Sequence, residues 1–291
     1  MSARYEWPAG KSCAVVFSAD VDAESPMLWT HRGRQIGYLG ELEQRRFGPR
    51  QGLWRILDMI EGEGLRGSFY VPGVVAETYP AILPELVRRG HEIGLHGYYH
   101  ERADQASDAQ TLAWIDRSAA LFEAQTGRRP RGYRSPSWEL SVAMPGHLKA
   151  RGLAYDSSLM GFDHPYTIDG LPEVPVQWLV DDAIYFKFAG NGSDRGAPIA
   201  PHLVLESWLA EYRAMREFGG LFMITIHPWI SGRGQRVLML RELIRTIARD
   251  SDVWWATAEE VADWHAASAN AGRFAVTAAG AGIDPEREAH P

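Results

Sequence analysis

Four short apolar runs in this chain each end on side chains suited to metal or proton chemistry, and helical patterns fill the intervals. Cys13 to Ser18 leads to Asp20 and Asp22, and His91 to Leu95 leads to His96. Tyr133 leads to Arg134, and the run Leu221 to Ile226 leads to His227. Strands that alternate with helices predict parallel βα units. Seven or so such units over most of 291 residues fit a barrel better than a small open sheet. In a barrel the C-terminal strand ends share one face, so side chains far apart in sequence converge on a single cleft.

The helical pattern is carried by Leu53, Ile56, Leu57 and Ile60 on one face, and by Leu112, Ile115, Ala119 and Phe122 before Gly127. Further helices are expected over 79–89, 144–151, 203–218, 237–249 and 258–264, and further strands at 67–71, 154–156, 173–176 and 253–255. One catalytic domain over 1–265 follows. Residues 24–49 form a long insertion, rich in Gly, Arg and aromatic residues, expected as an active-site loop or contact arm. Residues 266–291 are expected as a tail, mobile or docked through Phe274-Ala275-Val276 on a partner subunit.

A formal charge of −7 argues against nucleic acid as the natural ligand. Cys13 is the only cysteine, so a disulfide framework and a thiolate metal site are both excluded, and it reads as a buried small hydrophobe. No apolar stretch reaches membrane-spanning length, and Met1 to Pro8 lacks a signal-peptide pattern. A soluble, cytoplasmic protein without a membrane partner is the expectation.

His96 and His100 stand four residues apart. If His96 opens a helical turn, both rings project from one face and can grip one ion. The third ligand comes best from the Asp20/Asp22 pair. Two imidazoles and one carboxylate leave coordination positions open, as a catalytic metal requires. Asp22, His96 and His100 are the preferred ligands, with Asp20 beside them as general base. His227 is placed to protonate a departing nitrogen. Arg134 can orient Asp20 through a charge-assisted bond, and Asp181 or Asp182 can hold that arginine or the His227 imidazole. Tyr98, Trp138 and Trp178 are candidates for the substrate-lining wall. Zinc is the default for mixed imidazole and carboxylate ligation, with Co²⁺, Mn²⁺ or Fe²⁺ as alternatives.

Five segments in order resemble the polysaccharide deacetylase family, also called the NodB-homology or carbohydrate esterase four group. They are Phe17-Ser-Ala-Asp20-Val-Asp22, Gly67 to Gly73, Gly90 to His100, Arg134-Ser-Pro-Ser-Trp138 and Thr225-Ile-His227-Pro. The resemblance implies a distorted, incomplete (β/α) barrel and metal-dependent hydrolysis of a carbon–nitrogen bond. It implies a base at Asp20, ligands at Asp22, His96 and His100, a catalytic histidine at His227, and supporting roles for Arg134 and Asp182. Two departures stand out: Val21 separates the aspartates that are usually adjacent, and Gly97 replaces the usual Ser or Thr. These, with Tyr98-Tyr99 and Ser158 to Met160, resemble a cytoplasmic branch that includes peptidoglycan-deacetylase-like proteins, cyclic imidases and allantoinase-like enzymes. Homo-oligomers, tetramers among them, are implied by that branch.

The expected reaction is attack of an activated water on an amide or imide carbonyl in a small soluble amide, imide or N-acetylated sugar. A cyclic imide or allantoin-type substrate is the specific alternative to an N-acetyl sugar. A metal-stabilised binding protein without turnover is the alternative of a different class; it has no need of Asp20 or His227.

Overall fold

The computed structural model describes residues 4–190, 192, 194 and 196–280. Strand β1 (Cys13–Asp20) runs through its middle with all eight residues buried. Period-two alternation sorts them into two environments. Cys13, Val15, Phe17 and Ala19 join the core between sheet and helices, whereas Ala14 and Val16 join a second cluster with Tyr70, Tyr155 and Met223. Ser18 and Asp20 continue that second face, so the interior of the curled sheet turns polar toward the strand's C-terminal end.

The other strands are β2 (Ser68–Val71), β3 (Glu92–Leu95), β4 (Gly132–Tyr133), β5 (Tyr155–Asp156), β6 (Tyr166–Ile168), β7 (Leu171–Glu173), β8 (Leu221–Ile226), β9 (Val253–Ala256) and β10 (Ala275–Val276). Their order is β10-β6-β7-β5-β4-β3-β2-β1-β8, with β9 also against β1. β8 pairs β1 along 14–19, so β9 at 13–16 and β2 at 18–20 divide the remaining edge. The segments before β6 and after β7 both reach β8: the Asp163 carbonyl accepts from Leu221 N–H (2.7 Å) and Asp182 N–H donates to the Thr225 carbonyl (3.1 Å). The result is an α/β fold with a curled, incomplete barrel, as expected.

Several details differ from the sequence reading. Ten strands occur among the described residues, against about seven expected. β6 and β7 are antiparallel, unlike the rest. They turn through Asp169 and Gly170, whose φ values of 48° and 78° are those of a tight two-residue hairpin. The helix expected over 79–89 is present as Ile82–Arg88, and a further helix, Gly73–Thr78, precedes it. Residues 274–276, expected to be mobile or to meet a partner, instead lie on the chain's own sheet: β10 pairs β6 at Ala275↔Thr167 and Val276↔Ile168. The last part of the expected tail, 281–291, lies outside the described residues. Among those described, no helix is long and apolar enough to cross a membrane.

The insertion folds into helices Ser25–Thr30 and Leu39–Phe47 and a wide turn Gly48–Gly52 before helix Leu53–Gly62. Its root is fixed by Glu24, whose carboxylate accepts from the Tyr79 hydroxyl (2.9 and 3.0 Å) and from Arg46 Nε (3.3 Å). Its end is fixed by contact with the residues after His227. A Cβ at Gly52 would stand 2.1 Å from the Pro228 carbonyl oxygen, so only glycine permits this approach.

Candidate metal centre and catalytic cleft

Asp20 ends β1, and Asp22 follows with Val21 between them. Val21 donates its N–H to the Tyr70 carbonyl (2.8 Å) and buries its side chain, leaving both carboxylates to face one cavity. His96 follows β3 and is buried. Its Nδ1–H donates to the Arg134 carbonyl oxygen at 2.7 Å, which fixes the tautomer and turns the Nε2 lone pair inward. That Nε2 lies 3.4 Å from Asp22 Oδ1, and His100 Nε2 lies 3.6 Å from Asp22 Oδ2.

The two histidines do not share a helical turn, which corrects the expectation. Residues 96–100 form a bent loop, and His100 has φ 60°. The rings meet edge to face with centroids 5.0 Å apart. The loop is shaped by the buried carboxylate of Glu101, which accepts from Tyr98 N–H (3.1 and 3.0 Å) and Tyr99 N–H (2.8 Å). Gly97 has φ 66°, and a Cβ there would come within 2.6 Å of Glu101 Oε1. The glycine that departs from the family pattern is therefore required by Glu101. Sequence reasoning missed Glu101, although an acid directly after His100 was a usable signal.

Behind Asp20 lies Arg134, with 0% exposure. Its NH1 donates to Asp20 Oδ1 (2.8 Å) and Ser18 Oγ (3.0 Å), Nε to the Ser157 carbonyl (3.0 Å), and NH2 to Ser157 Oγ (3.0 Å) and Met223 Sδ (3.6 Å). All five donors are engaged, so the buried cation is satisfied and rigid. Burial pushes the Asp20 carboxyl up, but Arg134, His96 and His227 together outweigh it and hold Asp20 below the usual carboxylate range. Ser18 and Ser157, which share this task, left no sequence signal.

Behind His227 lies Asp182. It accepts from His227 Nδ1 (2.6 Å), from the His227 backbone N–H (2.9 Å) and from the Ser231 hydroxyl. Asp181 stands 3.8 Å from the same Nδ1 and instead accepts from Ala183 N–H (2.6 Å). Between the two aspartates left open by sequence, Asp182 is the one bonded to the imidazole. Burial alone would lower His227, yet Asp182 and then Asp181 outweigh it and hold the ring well above its ordinary value. Burial pushes Asp181 up to about 7.

Among the described residues, two groups of His and Asp could hold a divalent ion: Asp22, His96 and His100, and Asp181, Asp182 and His227. They differ in how far their atoms are already occupied. In the first, Asp22 Oδ1 is buried with no hydrogen-bond partner among the described residues. An orphaned carboxylate oxygen facing two imidazoles fits a cation, because a buried acceptor without a partner is costly. In the second, both Asp182 oxygens already carry hydrogen bonds.

The cavity over these groups has a volume of about 270 Å³, and the insertion supplies Pro26, Trp29, Thr30 and Arg45 to its wall. Trp138 and Trp178 also line it, with ring centroids 4.3 Å apart. Tyr98 does not. Its ring packs against Gly73 under the Arg117 guanidinium and its hydroxyl donates to Glu77, so the wall expected there faces away. Of five described non-glycine residues with positive φ, His100, Ser137 and Trp138 line the cavity and Ala23 adjoins Asp22, strain of the kind that gathers at functional sites.

Comparison with known proteins agrees with this geometry. The polysaccharide deacetylase family model matches residues 47–155. The peptidoglycan deacetylase of Helicobacter pylori is 28% identical over 283 residues, 87% of this chain and 96% of that protein. The crystal structure of a Mycobacterium smegmatis protein assigned to the polysaccharide deacetylases superposes with a TM-score of 0.86 at 34% identity, covering 97% of this chain and 98% of that one. The structure of Puue allantoinase shares the fold, with a TM-score of 0.76 at 20% identity over 90% of this chain and 93% of that one. On these motifs, this fold and these relatives, the chain belongs to the polysaccharide deacetylase family, the NodB-homology group.

Proposed function

We propose that this protein, a metal-dependent hydrolase of a non-peptide carbon–nitrogen bond, acts on a small amide or cyclic imide. The observation that carries the reading is the size and roofing of the cleft: about 270 Å³, walled on one side by the insertion. Ligand sites commonly run from roughly 300 to 1,000 Å³, so this one sits at the small end. A polymer deacetylase needs an extended groove instead.

Asp22, His96 and His100 would hold the ion, with zinc the default for two imidazoles and a carboxylate. Such an ion supplies Lewis acidity to a carbonyl oxygen and makes a water more acidic. Asp20, ionised and fixed by Arg134, takes the proton from the attacking water. His227, protonated and backed by Asp182, gives a proton to the nitrogen as the carbon–nitrogen bond breaks. Arg134 and Asp182 do not line the cavity, so they act as positioning residues. A single catalytic domain over 1–265 and homo-oligomerisation belong to the same proposal. Tyr38 and Leu39, 85% and 68% exposed on the insertion, offer apolar surface for a second subunit.

The test is product release by metal-loaded protein from N-acetylglucosamine oligomers, simple N-acyl amides, cyclic imides and allantoin, beside Asp20→Asn. Turnover of a small amide or imide that vanishes in the variant supports the reading. Turnover confined to the sugar oligomers contradicts it.

A further inference from the structure

The cavity wall carries more positive charge than the chemistry above uses. Its acids already face cations or donors: Asp20 has Arg134, Asp22 faces His96, His100 and His227, and Asp181 takes the Ala183 N–H. Three cationic side chains also line it, Arg45, Arg102 and Lys187. Arg102 is already neutralised by a two-pronged pair with Asp104, at 2.9 Å for both bonds.

The other two keep donors free, Arg45 although its Nε pairs with Glu41. Arg45 is only 6% exposed, and of its donors Nε alone is engaged, 3.2 Å from Glu41 Oε1. Its guanidinium rests over the Trp229 ring at 4.7 Å, and its two terminal nitrogens have no hydrogen-bond partner among the described residues. Those free donors border the cavity, where a ligand can take them. Lys187 follows the short helix Ala183–Phe186, and its side chain has no ion pair or hydrogen bond among the described residues. Arg45 lies on helix Leu39–Phe47 and packs over Trp229, so this charge is part of the wall rather than a wandering surface group. Among the described residues the lining contains no asparagine or glutamine, the amide side chains that suit sugar hydroxyls.

We propose that Arg45 and Lys187 form an anion-recognising wall and that the substrate is an amide or cyclic imide bearing a carboxylate. This rests on the small-substrate reading above and names its chemical class. Arg45 presents a fork of donors to two carboxylate oxygens, and Lys187 adds a mobile point charge. The susceptible carbonyl is thereby held at one end of the cavity and the anionic group at the other.

The experiment uses a matched pair, N-acetyl-β-alanine and N-acetyl-β-alaninamide, which share the acyl amide and differ in charge. Binding to metal-loaded protein is read from tryptophan fluorescence, since Trp29, Trp138, Trp178 and Trp229 line the cavity. The acid should bind about tenfold tighter than the amide, with the advantage falling in Lys187→Gln and again at high salt. Lys187 is exposed, so that variant is expected to fold; Arg45→Gln provides the second arm. Equal binding of the pair, or an acid advantage that survives both variants, overturns the proposal. A carboxylate preference in a protein that hydrolyses no amide or imide would instead sink the function and leave the anion wall standing.

Discussion

His100 and His227 stand equally far from one carboxylate, each with Nε2 3.6 Å from Asp22 Oδ2, yet they are held in opposite charge states. Burial takes His100 down to about 4 despite Asp22, with His96, Arg45 and His227 pressing the same way. His227 is equally enclosed, but Asp182 bonds its Nδ1 and keeps it protonated. A neutral imidazole offers a lone pair and a protonated one offers a proton. What separates the two jobs is the residue behind each ring, not the ring itself.

Removing a ligand is the most drastic way to break this contrast. In Asp22→Asn or His100→Gln, elemental analysis should find the bound ion lost, with activity down about a thousandfold or more. His227→Gln should retain its metal and still lose about 10²–10⁴ in kcat, because only the proton donor is gone. Metal loss in that variant would place His227 among the ligands.

A subtler change sharpens the comparison. His227 must be protonated to donate, so activity falls as pH rises through its raised pKa. Asp182→Asn removes the Coulombic support and should move this alkaline limb of the kcat/KM profile to lower pH, by about one unit or more. An unmoved limb would mean that Asp182 is merely structural. The smallest effect belongs to the loop that aims His100. Gly97→Ala meets both the positive φ and the Glu101 carboxylate, and denaturant unfolding should show a loss of about 1–3 kcal/mol.

Much of this arrangement was legible in the sequence because strand ends concentrate function. Asp20, Asp22, His96 and His227 all follow buried apolar runs, and period-two alternation sends both aspartates inward. The layer behind them was harder to read. Ser18 and Ser157 hold Arg134 through hydroxyl and carbonyl contacts brought together only by the curled sheet. The His96–His100 spacing invited a helical reading because i,i+4 is a helical period; Gly97 and Glu101 override it by fixing a left-handed bend. The Asp169-Gly170 hairpin was a local signal that the βα rhythm overshadowed. Tyr98 was misplaced because neighbouring residues on a bent loop point in opposite directions, toward Glu77 in its case.

The division of labour between the two His/Asp groups is open to a direct measurement: anomalous scattering from crystals grown with zinc. A single peak about 2.0–2.2 Å from Asp22, His96 and His100 is the predicted result. A peak among Asp181, Asp182 and His227 would contradict the account, because the proton donor would then be a ligand and Asp22 would be left with an unpartnered buried oxygen.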